Sequence, residues 1–333
     1  MTFPKISVVI TTYNRPKAVV KAIKSVHTQT YIYYELHVVD DGSEIESQNV
    51  VKGLLAGQKN AYYWRNSNRR GLASARNLGI KKSSGEYIAF LDDDDEWKPE
   101  AIEKRVALLA DIPKKEREKL GIIYCGCESH ILHEKRITYN MPRIEGNIKE
   151  FIINNDLNTI PSSCLFPKKV LVSIGGFDES LTSSIDHDIW MNIAVHGYHA
   201  FAVKEPLVIT YNTKNRRRMV TDAAPRLQGV EGFLEKWRPI YQKWFGREGG
   251  AHYIRRYRTR VLGLLAGIKL CERNYLEAWR IIKHIHCRNS IYNRDGFVLA
   301  DLITRCIVRE FIPVKLINLM KRSINYNERM IGQ

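Results

Sequence analysis

The sequence has no run approaching the ~18 consecutive apolar residues that a membrane-spanning helix needs. It does not open on the basic, apolar and small-residue succession of a secretion signal either; it runs directly into Ile6-Ser-Val-Val-Ile10. A chain that neither spans a membrane nor leaves by that route is expected. Cysteine is scattered: of six, only Cys125 and Cys127 lie close together, which excludes a pair-of-pairs zinc site and a disulfide scaffold. A reducing, cytoplasmic setting fits that usage. Two phosphate-binding signatures are also missing. Neither Gly-x-Gly-x-x-Gly nor Gly-x-x-x-x-Gly-Lys-Ser/Thr occurs, which argues against a nicotinamide or ATPase reading. With 44% hydrophobic and 26% charged residues, the chain is ordinary globular protein, neither disordered nor collagen-like.

Its 333 residues suit one large domain with an appendage. The formal charge of +16 is unevenly placed. Residues 225–333 hold 21 Lys and Arg against 9 Asp and Glu, whereas residues 1–224 hold 31 against 27. The basicity therefore belongs to the tail third, and two regions with different surfaces are expected, 1–224 and 225–333. A basic surface attracts nucleic acid, anionic lipid or phosphorylated substrates. No recognised nucleic-acid-binding motif accompanies it, so nucleic acid is not an expected partner.

Short β-branched or apolar runs at 6–12, 35–40, 61–65 and 87–91 alternate with helical stretches at 16–29, 44–57 and 71–82. That alternation predicts a mostly parallel sheet covered on both faces, with ligands beyond the carboxyl ends of its strands. Polar residues stand at those ends: Thr11, Thr12, Tyr13, Asp40, Asp41, Asp92 and Asp94. Further strands are expected at 121–125 and 162–166, a turn at 175–178, and a helix at 185–195. From about Gly229 the pattern is helical to the end.

The most informative stretch is Phe90-Leu-Asp-Asp-Asp-Asp-Glu-Trp97. Four adjacent carboxylates repel one another, and a hard divalent cation that bridges to a phosphate would relieve them. A solvated acidic turn is the plain alternative. Val38-Val-Asp-Asp-Gly-Ser43 places a second acidic pair where a carboxylate can accept from a base N–H. Gly71-Leu-Ala-Ser-Ala-Arg-Asn77 sets an arginine, suited to phosphate, on a helix of small residues.

Taken in order, Ser7-Val-Val-Ile-Thr-Thr-Tyr-Asn-Arg15, the Asp-Asp-Gly-Ser43 turn, Gly71 to Asn77 and the aspartate run resemble family 2 glycosyltransferases of the GT-A fold, over residues 5 to 212. The resemblance implies an α/β catalytic domain, a nucleotide-sugar donor (typically a UDP-sugar), Mn²⁺ or Mg²⁺, and transfer with inversion. It implies that Thr11, Tyr13 and Arg15 border the nucleoside, that Asp41 meets the base with Asp40 beside it, and that Arg76 lies near the diphosphate. Asp92 and Asp94 match the outer aspartates of the family's Asp-x-Asp motif, with Asp94 the first choice of metal ligand. Whether Asp93 shares the ribose contact or the metal contact is open. Asp186, in Ser184-Ile-Asp-His-Asp-Ile-Trp190, takes the place of the catalytic base, although the usual preceding Glu is Ile185; Asp188 is the competitor. Gly175-Gly-Phe-Asp178 resembles the loop leading to the acceptor. Lys214, Arg216, Arg217 and Arg218 match a segment that folds over the diphosphate, or else form a solvated loop.

The expected function is sugar transfer to a hydroxyl of a glycan or lipid-linked acceptor in cell-surface polysaccharide synthesis. An inactive sugar-binding scaffold and a nucleotidyltransferase are the alternatives. For the tail, the apolar stretches within Phe297 to Ile303 and Ile312 to Arg322 alternate with Lys and Arg along the chain. Peripheral docking on an anionic inner membrane face is one expectation. Packing on the catalytic domain, or on a second subunit in a homo-oligomer, is the other.

Overall fold

The computed structural model describes residues 3–154, 159–212 and 222–289. The first elements are β1 (Ile6–Thr12), α1 (Pro16–His27), β2 (Tyr34–Asp40), α2 (Ile45–Leu55), β3 (Ala61–Arg65), α3 (Leu72–Lys82) and β4 (Tyr87–Asp92). These follow the alternation read from the sequence. Next come β5 (Asp95–Trp97), α4 (Ala101–Asp111), α5 (Lys114–Arg117), β6 (Leu120–Ile131), β7 (Arg136–Asn140), β8 (Gly146–Asn147), α6 (Ile148–Asn154), β9 (Cys164–Pro167), α7 (Lys168–Ser173), α8 (Ile185–Val195) and β10 (His199–Asn212).

All ten strands form one sheet, ordered β3-β2-β1-β4-β9-β6-β10-β5, with β7 added to β6 and β8 to β10. β3, β2, β1 and β4 are parallel. β9 is antiparallel to both β4 and β6, so β6 and its parallel neighbour β10 point the same way as β1. The carboxyl ends of β1, β2, β4, β6 and β10 therefore share one edge of the sheet. β6 continues beyond the expected 121–125 run to Ile131, and its parallel neighbour β10 reaches Asn212. Their outer parts are only half-buried, so the apolar signal fades before the strands end.

Burial explains the local patterns. β1 is buried along its whole length, hence its unbroken β-branched run rather than alternation. α1 starts on Pro16 and buries Val19, Ala22, Ile23 and Val26, a stripe at helical spacing. α3 needs small residues for a different reason. A Cβ on Gly79 would stand 2.3 Å from Val9 Cγ1, so the helix lies too close to β1 for any larger residue there.

At the opposite, amino-terminal end of the strands, the buried Glu35 carboxylate accepts from Ser7 Oγ (2.6 Å), Ser84 N (2.6 Å) and Ser84 Oγ (2.7 Å), with Lys5 Nζ at 2.7 Å. Burial opposes the charge, but these donors outweigh it and hold the carboxyl well below its ordinary value. A depressed pKa means stability present above the unfolded value near 4.5 and lost as pH falls below it. Glu35→Gln is expected to cost about 1–3 kcal/mol at neutral pH. Urea melts of the two proteins should converge as the buffer is acidified.

The chain divides into two units, one holding residues up to 180 together with 185 onward through β10, the other holding 181–184 and the helices from 223 on. The second unit consists of α9 (Ala223–Cys271), broken at Gly246 (φ 74°, ψ 170°), and α10 (Tyr275–Asn289). Within it Arg258 donates through Nε and Nη2 to Glu231 (2.7 and 2.9 Å) and through Nη1 to Asn289 (2.8 Å), tying α9 to α10. Among the described residues no helix is long and apolar enough to cross a membrane. The basic loop at 214–218 and the tail stretches at 297–303 and 312–322 lie outside the described residues.

Candidate active site

Three strand ends build the site. β4 ends on Asp92, and Asp93 and Asp94 make the turn into β5, which starts on Asp95. Ser162 sets the shape of that turn. Its Oγ accepts from Asp92 N (3.1 Å) and donates to Asp95 Oδ2 (2.7 Å), while its carbonyl accepts from Trp97 Nε1 (2.7 Å). Oxygens of Asp92, Asp94 and Asp95 come within 4.8 Å of one another. Three carboxylates this close form a hard-oxygen donor set that fits Mg²⁺ or Mn²⁺. The sequence pattern pointed to Asp92 and Asp94; Asp95 joins them across the two-residue turn at 93–94, held there by Ser162 Oγ and by the pairing of β5 with β10. The four-aspartate run was the available signal for it.

Asp93 faces away from this group. It is buried, accepting from Thr12 Oγ1 (2.8 Å) and Arg15 Nη1 (3.0 Å); Arg15 also reaches Asp94 at 3.5 Å. Burial, with the neighbouring Asp94 charge adding to it, pushes the Asp93 carboxyl up to about 6 against the pull of Arg15. The carboxylate run is thus split by direction, with one member tying down the β1 end and three forming a cluster.

The β2 end carries Asp40 and Asp41. Asp40 is sealed from solvent, its oxygens accepting from Ser43 N (2.6 Å) and Tyr63 Oη (2.8 Å). Asp41 accepts from Asn66 Nδ2 (2.8 Å), Arg70 N (2.9 Å) and Gly71 N (2.7 Å), which anchors the segment leading into α3. Gly42, the residue after them, has φ 88°, and a Cβ there would lie 2.7 Å from the Arg69 backbone nitrogen, so this turn requires glycine. Tyr13, half-buried, stacks under the Arg69 guanidinium at 4.5 Å. Thr11 is buried at the end of β1. The structure thus gathers Thr11, Tyr13, Arg15 and Asp41 around one end of the sheet and places Asp40 inside it.

Arg76, which the resemblance places near the diphosphate, is buried beside the carboxylate cluster. It is only 1% exposed and lies over the Phe177 and Phe90 rings at 5.1 and 5.8 Å. Its Nη2 donates to Asp92 Oδ1 (2.8 Å) and its Nη1 to Asp186 Oδ1 (2.7 Å). Burial alone would lower its pKa, but the two carboxylates keep it charged, above its ordinary value. The close approach of α3 to the sheet explains the burial, which leaves both terminal nitrogens on carboxylates. Asp186 opens α8 with its side chain 40% exposed, whereas Asp188, two residues on, is fully buried on the opposite side of the helix. Asn77 bonds Phe177 in both directions, its Nδ2 to the carbonyl (2.8 Å) and its Oδ1 from the N–H (2.9 Å), fixing the 175–178 turn beside α3.

Comparison with known proteins adds an independent line. Residues 7–171 match the family described as Glycosyl transferase family 2. An uncharacterized glycosyltransferase of Rickettsia typhi is 32% identical over 194 residues, 56% of this chain and 58% of the relative, so the match spans little more than half of that relative. The GalNAc(5)-diNAcBac-PP-undecaprenol beta-1,3-glucosyltransferase of Campylobacter jejuni is 39% identical over 94 residues, 28% of this chain and 30% of its own length. Among solved structures, S. aureus TarS 1-349 in complex with UDP-GlcNAc superimposes with a TM-score of 0.63 at 16% identity, covering 92% of this chain and 88% of the other. Mannosyltransferase PcManGT from Pyrobaculum calidifontis, in complex with GDP-Man and Mn²⁺, gives 0.56 at 16% identity, covering 94% and 88%.

Proposed function

Residues 7–171 belong to glycosyl transferase family 2, and from that premise we propose that the chain is a metal-dependent inverting glycosyltransferase. Its mixed α/β sheet is that of the GT-A glycosyltransferases TarS and PcManGT, with helices following it. The donor in this reading is a nucleotide-sugar, a UDP-sugar first, and the acceptor a hydroxyl of a glycan or lipid-linked saccharide in cell-surface polysaccharide synthesis at the inner membrane face. TarS bound to UDP-GlcNAc and PcManGT bound to GDP-Man and Mn²⁺ support the donor class. The Campylobacter relative, named for an undecaprenol-linked substrate, supports the acceptor class.

One observation carries the mechanism: a single buried guanidinium joins Asp186 to Asp92. Asp92, Asp94 and Asp95 would hold the divalent cation, whose chemistry there is to neutralise the diphosphate leaving group. Thr11, Tyr13, Arg15 and Asp41 border the nucleoside in this reading, and Asp40 and Asp93 hold the loops that carry them. Asp186, half-exposed and fixed by Arg76, takes the proton of the acceptor hydroxyl as that oxygen bonds to the anomeric carbon. The bond from this carbon to the diphosphate oxygen breaks on the opposite face, which inverts the configuration. Arg76 touches neither reactant; it keeps the base and the diphosphate side at a set spacing.

The test is a panel of UDP- and GDP-sugars incubated with the full chain and Mn²⁺, with release of nucleoside diphosphate as readout. One donor should be hydrolysed well above the others. Release of pyrophosphate instead would mark a nucleotidyltransferase, and no release with any donor would mark an inactive scaffold.

A further inference from the structure

The β6–β7 hairpin carries an exposed apolar stripe that the proposed chemistry does not use. Ile137 and Tyr139 are 49% and 60% exposed, Met141 continues the same alternation, and Leu132 stands exposed at the hairpin tip. Residues two apart on a strand share a face, so Ile137, Tyr139 and Met141 present one apolar row. Among the described residues β7 pairs only with β6, leaving the row on a sheet margin where exposed apolar surface ordinarily marks an interaction site.

Strand register ties this margin to the carboxylate cluster. Asp95 lies opposite Thr210, Thr210 opposite Ser129, and Ser129 opposite Thr138, and the Ser129 and Thr210 hydroxyls bond at 2.8 Å. Three strand spacings place β7 about 14 Å from Asp95. The next row outward runs Tyr211, His130, Ile137, with the Tyr211 and His130 rings edge to face at 5.4 Å. Because β6 is parallel to β1 and β4, the hairpin projects from the edge of the sheet that holds the site.

The surroundings of the stripe select the partner. Residues 132–143 contain Lys135, Arg136 and Arg143, all exposed. Glu134 pairs with Arg136 at 2.8 Å, and Glu128, opposite Tyr139, is held by Lys98 and His130, which leaves Lys135 and Arg143 as the cations beside the stripe. Tyrosine with aliphatic side chains, flanked by Lys and Arg, suits the headgroup region of an anionic bilayer: the apolar row enters the interface while the cations meet phosphates. We propose that the β7 margin docks the catalytic unit on an anionic lipid surface, turning the carboxylate edge of the sheet toward acceptors held in that surface. The docking site deepens the glycosyltransferase reading, on which it rests for the identity of the acceptor, yet docking itself can be measured without turnover.

The full chain is floated with vesicles of phosphatidylcholine alone and of phosphatidylcholine with phosphatidylglycerol. It should rise with the second kind and be released by salt. The Ile137→Ser/Tyr139→Ser/Met141→Ser variant should lower the partition coefficient at least roughly tenfold. Lys135→Gln/Arg143→Gln keeps every apolar side chain and should remove only the part of binding that depends on phosphatidylglycerol. Both variants should release nucleoside diphosphate from soluble donor at the rate of the unaltered chain. Three outcomes overturn the docking site: an unaltered chain that floats with neither vesicle, an apolar variant that floats undiminished, or a stripe that sedimentation shows to be covered by a second copy. Failure of the enzymatic reading is separate, seen as absent nucleoside diphosphate release whatever the flotation result.

Discussion

In the proposed reaction, Asp186→Asn is expected to lower the rate of sugar transfer about 10²–10⁴-fold, the usual contribution of a positioned general base, while the affinity for donor should stay close to that of the unaltered protein. The substitution is nearly isosteric. An asparagine oxygen can still accept from Arg76 Nη1, so the buried guanidinium keeps its seat between the two sides of the site. What disappears is the ability to take a proton. Steady-state kinetics with saturating donor, alongside donor titration by calorimetry, separates the two quantities. Asp188→Asn is the control. Its side chain is fully buried, out of reach of an acceptor, so the variant should show its effect in thermal stability rather than in a selective loss of turnover. A crippled Asp188→Asn beside an active Asp186→Asn would move the base to the other carboxylate.

If the proposed cation sits on this cluster, Asp94→Ala, like an excess of chelator, is expected to reduce transfer at least roughly 10³-fold by removing charge stabilisation of the departing diphosphate. Unfolding does not account for this loss. Asp94 belongs to a group of three carboxylates whose oxygens lie within 4.8 Å, and deleting one relieves repulsion in the metal-free protein. Its ion pair with Arg15, at 3.5 Å, is long and partly exposed and adds little to stability. The melting temperature without metal should therefore hold or rise, while titration with Mn²⁺, followed by its paramagnetic signal, shows binding lost. Full activity in excess chelator, or undiminished Mn²⁺ binding by Asp94→Ala, removes the metal from this cluster.

Much of the first half of the fold was readable from residue order. The strand at 6–12 announced itself because a strand buried on both faces must be apolar throughout, and α1 because Pro16 and a helical stripe coincide. The later strands were harder. β5 spans three residues, β8 pairs over two residues with the distant β10, and β7 is a five-residue return on β6, so no local periodicity betrays them. The candidate site divides in the same way. Aspartates at strand ends are visible in the sequence, but the direction each side chain takes is not. Asp93 turns to Thr12 and Arg15, and Asp95 turns to the cluster, because Ser162, some 67 residues away, fixes the turn through two hydrogen bonds.

By itself, the sequence determined the alternating α/β order, the edge of the sheet at which chemistry gathers, and the carboxylate-rich character of that edge. Those properties follow from which residues a buried strand tolerates and which must stand beyond its end. Only the tertiary structure decided that Arg76 is a buried link between Asp92 and Asp186, a place its position on a helix of small residues did not disclose. The reason is packing. Gly79 brings α3 so close to β1 that the arginine three residues earlier has no route to solvent, and its charge is compatible with burial only because two carboxylates, 16 and 110 residues away in the chain, converge on its two terminal nitrogens.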